Sequence, residues 1–199
     1  TAQVLLANMA SMYAVYHGPE GLKKIAERIH RLTKVLATGL RKLGFEVGAN
    51  KVLPSSTRQN QEKDTNSRVQ LGCTFFDTLR VNLGSKRSVD LAKLAEAHHM
   101  NFRVLDAHTL GISLDETTME KDLVDILSVF NEGKPPTFSL SDLLAEIPDG
   151  SSIVNRQSSF LTHSVFNKYH SETEMLRYLK RLENKDLSLT VSMIPLGSC

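Results

Sequence analysis

The sequence predicts an α+β fold, with helices packed on a small, mainly antiparallel sheet and a further helical segment after it. Three observations lead there. Apolar residues recur at helical spacing through the first 43 positions, and short apolar runs separated by tight connections fill 74–114. Helical patterns then follow these runs, so the order reads helix, strand, strand, helix, strand, strand, helix.

Residues 1–16 read as a buried helix, with Val4, Leu5, Met9, Met12, Tyr13 and Tyr16 at helical spacing. HGPEG at 17–21 punctuates it. A second helix follows over 21–43, its apolar face made of Leu22, Ile25, Ile29, Leu32, Leu36, Leu40 and Leu43. Gly44 stands where a C-terminal glycine cap belongs. The opposite face carries Lys23, Lys24, Arg28, Arg31, Lys34, Arg41 and Lys42. It reads as a solvated surface, with a docking face for an acidic partner as the alternative.

Residues 45–47 form a short strand candidate, and 48–70 is a polar stretch without period, a long surface loop or insertion. TFFDTLRVNL at 74–83 is a strand whose Phe75, Leu79, Val81 and Leu83 share one face. Ser88 is placed to cap a helix over 89–98. Residues 101–106 and 109–114 read as two strands joined tightly at Ala107 and His108. Thr117 and Glu120 have capping-box spacing for a helix through Val124, Ile126, Leu127 and Phe130, ended by Gly133. Residues 132–152 hold three prolines and an amphipathic piece at 140–147, so they read as a linker that packs against something. Ser171 and Glu174 make a second capping box, opening a helix with a stripe of Met175, Leu176, Leu179 and Leu182.

The composition is that of an ordinary globular chain: 199 residues, 41% hydrophobic and 23% charged. A net charge of +2 gives no support to nucleic-acid binding, and scarce aromatics without tryptophan argue against a base-stacking surface. Cys73 and Cys199 belong to no Cys/His cluster, so neither a zinc site nor a disulfide framework is expected, and a reducing compartment is the default. No run approaches the length of a membrane helix, and no targeting segment opens the chain. The chain starts without Met inside an apolar pattern and closes on SMIPLGSC, so both ends read as cut.

General chemical motifs return nothing. His98 and His99 are adjacent, which on a helix turns their rings about 100° apart. His163 and His170 lie across a break, and His17 beside Gly18 and Pro19 reads as a turn residue. No metal site is expected, and there is no nucleophile elbow, P-loop or dinucleotide fingerprint. Every lysine falls on a polar face or in a loop, whereas a Schiff-base lysine needs a shielded site that lowers its pKa.

Specific segments do carry a signal. FLTHSVFNKYHSETEMLRYLKRLENKDLSLTVSMIPLGSC at 160–199 resembles the central part of glycine dehydrogenase (decarboxylating), the P-protein family of the glycine cleavage system. TAQVLLANMASMYAVYHGPEGL, and FFDTLRV with NFRV and TLGISLDET, are similar to earlier parts of that family in the same order. The resemblance covers nearly the whole chain apart from 48–70 and 133–152. It implies a pyridoxal-phosphate enzyme of aspartate-aminotransferase-like fold, which decarboxylates glycine and passes the aminomethyl group to the lipoyl arm of the H-protein. It further implies two homologous halves, with the cofactor lysine in a His-Lys-Thr motif of the second; no His-Lys pair occurs here.

The chain is accordingly expected to be an internal, non-catalytic fragment. Residues 1–44 would lead from the large domain, and 45–132 would be the small domain. Residues 133–158 would be a linker, and 159–199 would enter the catalytic half. Glycine, the H-protein and the rest of a dimeric P-protein are the implied partners. The compartment is mitochondrial for a eukaryotic parent, at which the 48–70 insertion hints, and cytoplasmic otherwise. The resemblance places Ser192, Met193, Pro195, Gly197, Ser198 and Cys199 at the edge of the substrate pocket, with Cys199 as a redox-sensitive thiol; a purely structural turn is the alternative. His170 and Arg177 read either as an interface between the halves or as capping and surface-pairing residues. Without partners, 159–199 should expose the stripe from Met175 to Leu182 and self-associate. The competing function is a stand-alone small-ligand or regulatory module built on 45–132; nucleic-acid binding through the basic 22–43 face is a third reading.

Overall fold

A computed structural model describes residues 2–49, 75–147 and 158–193. The chain divides into two compact units, Ala26–Ile153 and a second made of Thr1–Ile25 with Val154–Cys199. The expected loop over 48–70 falls almost wholly outside the described residues.

The first helix, α1 (Ala2–Lys42), is broken at Gly18, which has φ 63° and ψ −178°. The next residue is Pro19, whose ring removes an N–H and suits the first position of a new helical stretch. The break therefore lies inside the predicted 17–21 punctuation, and the helix resumes at Pro19, earlier than predicted. Beyond the break, Ile29, Leu32, Leu36 and Leu40 are buried as their spacing predicts, and Val35 and Ala37 join them. Gly44, at φ 91°, ends the helix, with the N–H of Phe45 returning to the carbonyl of Leu40.

The sheet is α+β in the predicted sense and entirely antiparallel among its described strands. Strands β1 (Glu46–Ala49), β2 (Thr78–Asn82), β3 (Arg103–Asp106) and β4 (Thr109–Ser113) lie in the order β1-β2-β4-β3. Val47, Leu79, Val81, Leu110 and Ile112 turn inward against the second stretch of α1, α2 (Ser88–Ala97), α3 (Glu120–Phe130) and α4 (Leu140–Glu146). Each fully buried Leu, Val or Phe in such a core contributes about 1.5–3 kcal/mol. Close approach at the centre depends on Gly39, where a Cβ would stand 2.8 Å from Leu127 Cδ2 and 3.2 Å from Leu143 Cδ1.

Two local readings are corrected. Ser88 does not cap α2; it is the first helical residue, buried, with its hydroxyl donating to the Asp106 carbonyl at 2.6 Å. That bond ties the helix to the end of β3. Thr117 does not open α3 either. The helix starts two residues later, with Asp122 accepting from the N–H of Met119 at 2.7 Å, while Thr117 and Thr118 bond the Asp115 carboxylate. Capping residues compete locally, and the hydroxyls found a nearer acceptor.

The basic face of α1 is largely exposed, as a solvated surface would be, and it also holds later segments. Arg28 donates to the carbonyls of Glu116 and Thr118, and Arg31 to those of Leu144 and Ile147. Arg41 reaches the Val47 carbonyl, and Lys42 pairs with Glu146 at 2.6 Å. Arginines along one face of the helix thus clip later segments onto it, because frayed helix and loop ends offer unsatisfied carbonyls. Lys23 and Lys24 remain exposed as predicted.

The other unit is built differently. It contains the first stretch of α1, a single 3₁₀ turn (Ser164–Asn167) and α5 (Glu172–Glu183). Among its described residues, Val15 is the one buried large apolar side chain. The predicted burial of 1–16 is therefore overturned, since Val4, Leu5 and Met9 are more than 60% exposed. Periodicity identifies an apolar face; it does not supply what covers it. The Ser171 cap of α5 forms as predicted, with Ser171 Oγ accepting from the N–H of Glu174; the reciprocal half of the box does not, since the Glu174 carboxylate accepts from Ser171 Oγ in place of the Ser171 N–H.

Candidate functional site at the Gly18 kink

At Gly18 and Pro19 the 158–193 segment meets the helix through a defined polar contact. Nδ1–H of His170 donates to the Tyr16 carbonyl at 2.7 Å. A carbonyl only accepts, so Nδ1 carries the proton and Nε2 of the neutral ring is left with its lone pair. The approach is close because Gly18 has no side chain. A Cβ there would lie 2.7 Å from His170 Cε1 and 2.7 Å from the Phe166 carbonyl oxygen. The positive φ independently favours glycine at this position.

The segment is shaped to present His170. Val165 N–H donates to His163 Nδ1 at 3.2 Å, starting the 3₁₀ turn. The Asn167 amide donates to the carbonyls of Leu161 and His163, both at 3.1 Å, closing the loop in which Leu161 has φ 50°. Tyr169 stacks on Tyr178 with centroids 4.3 Å apart. Arg181 lies near both rings and donates to the Tyr169 hydroxyl. On the helix side, His17 sits between Tyr13 at 4.4 Å and Tyr16 at 5.2 Å.

At the far end of α5 the chain turns back. Glu183 accepts from Lys180 Nζ at 2.9 Å, and the hydroxyls of Ser188 and Thr190 lie 2.9 Å from each other. Lys180 foremost, then the nearby Ser188 hydroxyl, holds the Glu183 carboxyl below the usual glutamate range. The N–H groups of Val191 and Ser192 both reach the Ser188 carbonyl, at 3.1 and 2.9 Å.

Of the residues singled out from sequence, Ser192 is half-buried in that turn and Met193 is almost fully exposed at 99%. Pro195, Gly197, Ser198 and Cys199 lie outside the described residues, as does Cys73. His170 is at the kink, and Arg177 is exposed on α5. The stripe of α5 is open as anticipated, with Leu176 and Leu179 exposed and Met175 and Leu182 half-buried. Leu187, Leu189 and Val191 extend this exposed apolar surface. Sequence reasoning missed the Tyr16–Gly18–His170 contact; its signal was the Gly18-Pro19 break, which leaves backbone without regular partners.

The described residues do not fit a pyridoxal-phosphate site. Among the described lysines, Lys34 and Lys86 are half-buried and the rest are exposed, so none has the shielding a Schiff-base lysine needs. No group of three or more metal-binding side chains occurs among the described residues. A surface depression of about 520 Å³ in Ala26–Ile153 is lined by Lys86, Arg87, Asp90, Leu91, Leu94 and Glu132, and its Lys86 is paired with Glu132 at 2.8 Å.

Comparison with known proteins supplies what the geometry does not. The family described as "Glycine cleavage system P-protein" matches residues 1–71 and 46–130. A glycine dehydrogenase (decarboxylating) of Nostoc sp. (strain PCC 7120) is 50% identical over 204 residues, covering 100% of this chain and 18% of that protein. The corresponding protein of Photobacterium profundum is 47% identical over 204 residues, with 100% of this chain and 18% of that protein covered. A mitochondrial glycine dehydrogenase (decarboxylating) of Flaveria trinervia is 45% identical over 201 residues, covering 100% of this chain and 17% of that protein. The chain thus spans less than a fifth of the length of these relatives.

Proposed function

The chain belongs to the glycine cleavage system P-protein family, and from that premise we propose that it is a segment of a longer glycine dehydrogenase (decarboxylating). That enzyme would use pyridoxal phosphate to decarboxylate glycine and would pass the aminomethyl group to the lipoyl arm of the H-protein. The observation that carries this reading is identity of 45–50% along the entire chain to glycine dehydrogenases several times its length.

Within that enzyme the chain acts as scaffold and interface. Ala26–Ile153 has a closed apolar core, while the unit of Thr1–Ile25 with Val154–Cys199 leaves Val4, Leu5, Met9, Leu176, Leu179 and Leu187 in the open. Exposed apolar faces of that extent suit burial against the rest of the polypeptide or its dimer partner. His170 and Arg177 belong to the interface with the second half, and 192–199 borders the substrate pocket. Residues 1–44 lead from the large domain, 45–132 form the small domain, 133–158 link onward, and 159–199 enter the catalytic half. The Schiff-base lysine lies outside this chain, in keeping with the solvent contact of its described lysines. The enzyme would work in mitochondria in a eukaryote and in the cytoplasm of a bacterium.

Incubation with pyridoxal phosphate, borohydride reduction and mapping of lysine adducts by mass spectrometry tests this assignment. Scattered, substoichiometric labelling that ignores added glycine is the expected result. One stoichiometric adduct protected by glycine would give this chain its own active site and end the scaffold reading.

A further inference from the structure

We propose that the stretch of α1 before the Gly18 break is enclosed on every side by other segments of the same longer polypeptide, which meet it with apolar, charge-free surfaces. This enclosure rests on the reading that the chain is part of a longer glycine dehydrogenase; it assigns the cover to that polypeptide and not to a second copy.

Residues 1–19 contain no Asp, Glu, Lys or Arg, and the first charged side chain is Glu20. Lys23, Lys24, Glu27, Arg28 and Arg31 follow, so charge returns where the helix resumes after the break. Solvated helices carry charge. Enclosed ones avoid it, because a buried ion costs far more than a buried amide or hydroxyl that finds a hydrogen bond. The polar side chains of the first turns are all of the cheaper kind: Gln3, Asn8 and Ser11.

Every residue from Gln3 to Ser11 is nevertheless exposed in this chain, and full burial begins only at Val15. Val4, Leu5, Leu6 and Met9 are each more than 60% exposed. Val4, Leu5 and Leu6 are consecutive, so at about 100° per residue they spread over about 200° of the circumference, with Met9 between the last two. A helix that docks by one face needs a stripe of only about 100°. A second copy seated across a twofold axis covers one such stripe and leaves the back of the helix in water. A helix apolar around most of its circumference belongs in the core of a larger protein or in a bilayer. No helix among the described residues is long and apolar enough to cross a membrane. The relatives supply the larger protein, since the match takes in 100% of this chain and only 17–18% of theirs.

The experiment uses the longer enzyme carrying this chain, with L5C and A7C, two positions about 160° apart around the helix. Thiol labelling is read by mass on the tryptic peptide that ends at Lys23. Both cysteines should react about a hundredfold more slowly in the native protein than in denaturant, at every protein concentration. Rapid labelling of both overturns the enclosure, and so does protection at position 5 without protection at position 7, which makes the cover one-sided. Protection that disappears on dilution, together with dissociation of an oligomer followed by light scattering, gives the cover to a second copy and also overturns it. If neither variant folds, hydroxyl-radical oxidation of Met9 in the unsubstituted enzyme decides: Met9 should stay unreactive at all dilutions, and oxidation at the denatured rate overturns the enclosure. Glycine decarboxylation by the same preparation separates the two readings. Active protein with a reactive helix removes the enclosure alone, and inactive protein with a shielded helix removes the enzyme reading alone.

Discussion

His170 donates its Nδ1–H to the backbone of Tyr16 across 154 positions of sequence, at the point where Gly18 breaks the first helix. One imidazole and one absent side chain thereby join segments far apart in the chain.

G18A should loosen this junction. The new Cβ would meet His170 Cε1 and the Phe166 carbonyl at 2.7 Å, in a backbone conformation that L-residues rarely adopt. Strain of this kind costs about 1–3 kcal/mol. Exchange of the amides in 164–171 should accelerate accordingly, while those of β2 and β4 keep their rates.

Burial, not residue type, should decide the cost of truncating leucines. Leu36 is fully buried, and L36A should destabilise Ala26–Ile153 by about 2–5 kcal/mol in chemical denaturation. Leu176 is 59% exposed, and L176A should fall within about 0.5 kcal/mol of the parent. In the longer enzyme proposed above L176A should instead expose a face meant to be covered, read as a lower yield of soluble protein.

Arg31 should behave as a structural clip. Its guanidinium holds the Leu144 and Ile147 carbonyls at the end of α4. R31A should cost about 1.5–3 kcal/mol, the range for bonds with a charged donor, and should expose the amides of α4 to exchange first. R31K, with a point charge in place of a planar fork, should recover only part of the loss.

Acid should weaken the protein through carboxylates held below their ordinary values. The hydroxyl and N–H of Thr117, followed by those of Thr118, lower Asp115 from 3.8; the N–H of His108, then Thr109 and Arg80, lower Asp106. A depressed folded pKa means that this stabilisation is complete above the unfolded value and disappears as pH falls through the folded one. Denaturation midpoints should be flat from neutral pH to about 5 and should fall below about 4. D115N keeps an acceptor for the same N–H groups and should show a shallower acid slope.

Several elements were legible because one local cause sets each of them. The inward positions of β2 follow from strict alternation, and the stripe from Ile29 to Leu40 follows from helical spacing. The Ser171 cap formed because its hydroxyl had no better partner than the α5 N-terminus. Ser88 and Thr117 were misread because each hydroxyl faces an acceptor from outside its helix, Asp106 for one and Asp115 for the other. The basic face of α1 is largely solvated as read, but its bonds were not legible, since Arg28 and Arg31 find carbonyls 88 to 116 positions away. In the site, the Pro/Gly break and the Ser171 cap could be read directly, but the bond from His170 to Tyr16 could not.

The sequence by itself determined the α+β class, the break at Gly18, the helical and strand faces, and membership in the P-protein family, because local periodicity, turn chemistry and long runs of identity are properties of the chain alone. Tertiary structure decided which faces are covered, where the arginines bind, and that His170 closes on the kink. Those outcomes depend on which distant backbone groups arrive without partners, and a residue's neighbours in sequence do not determine its neighbours in space.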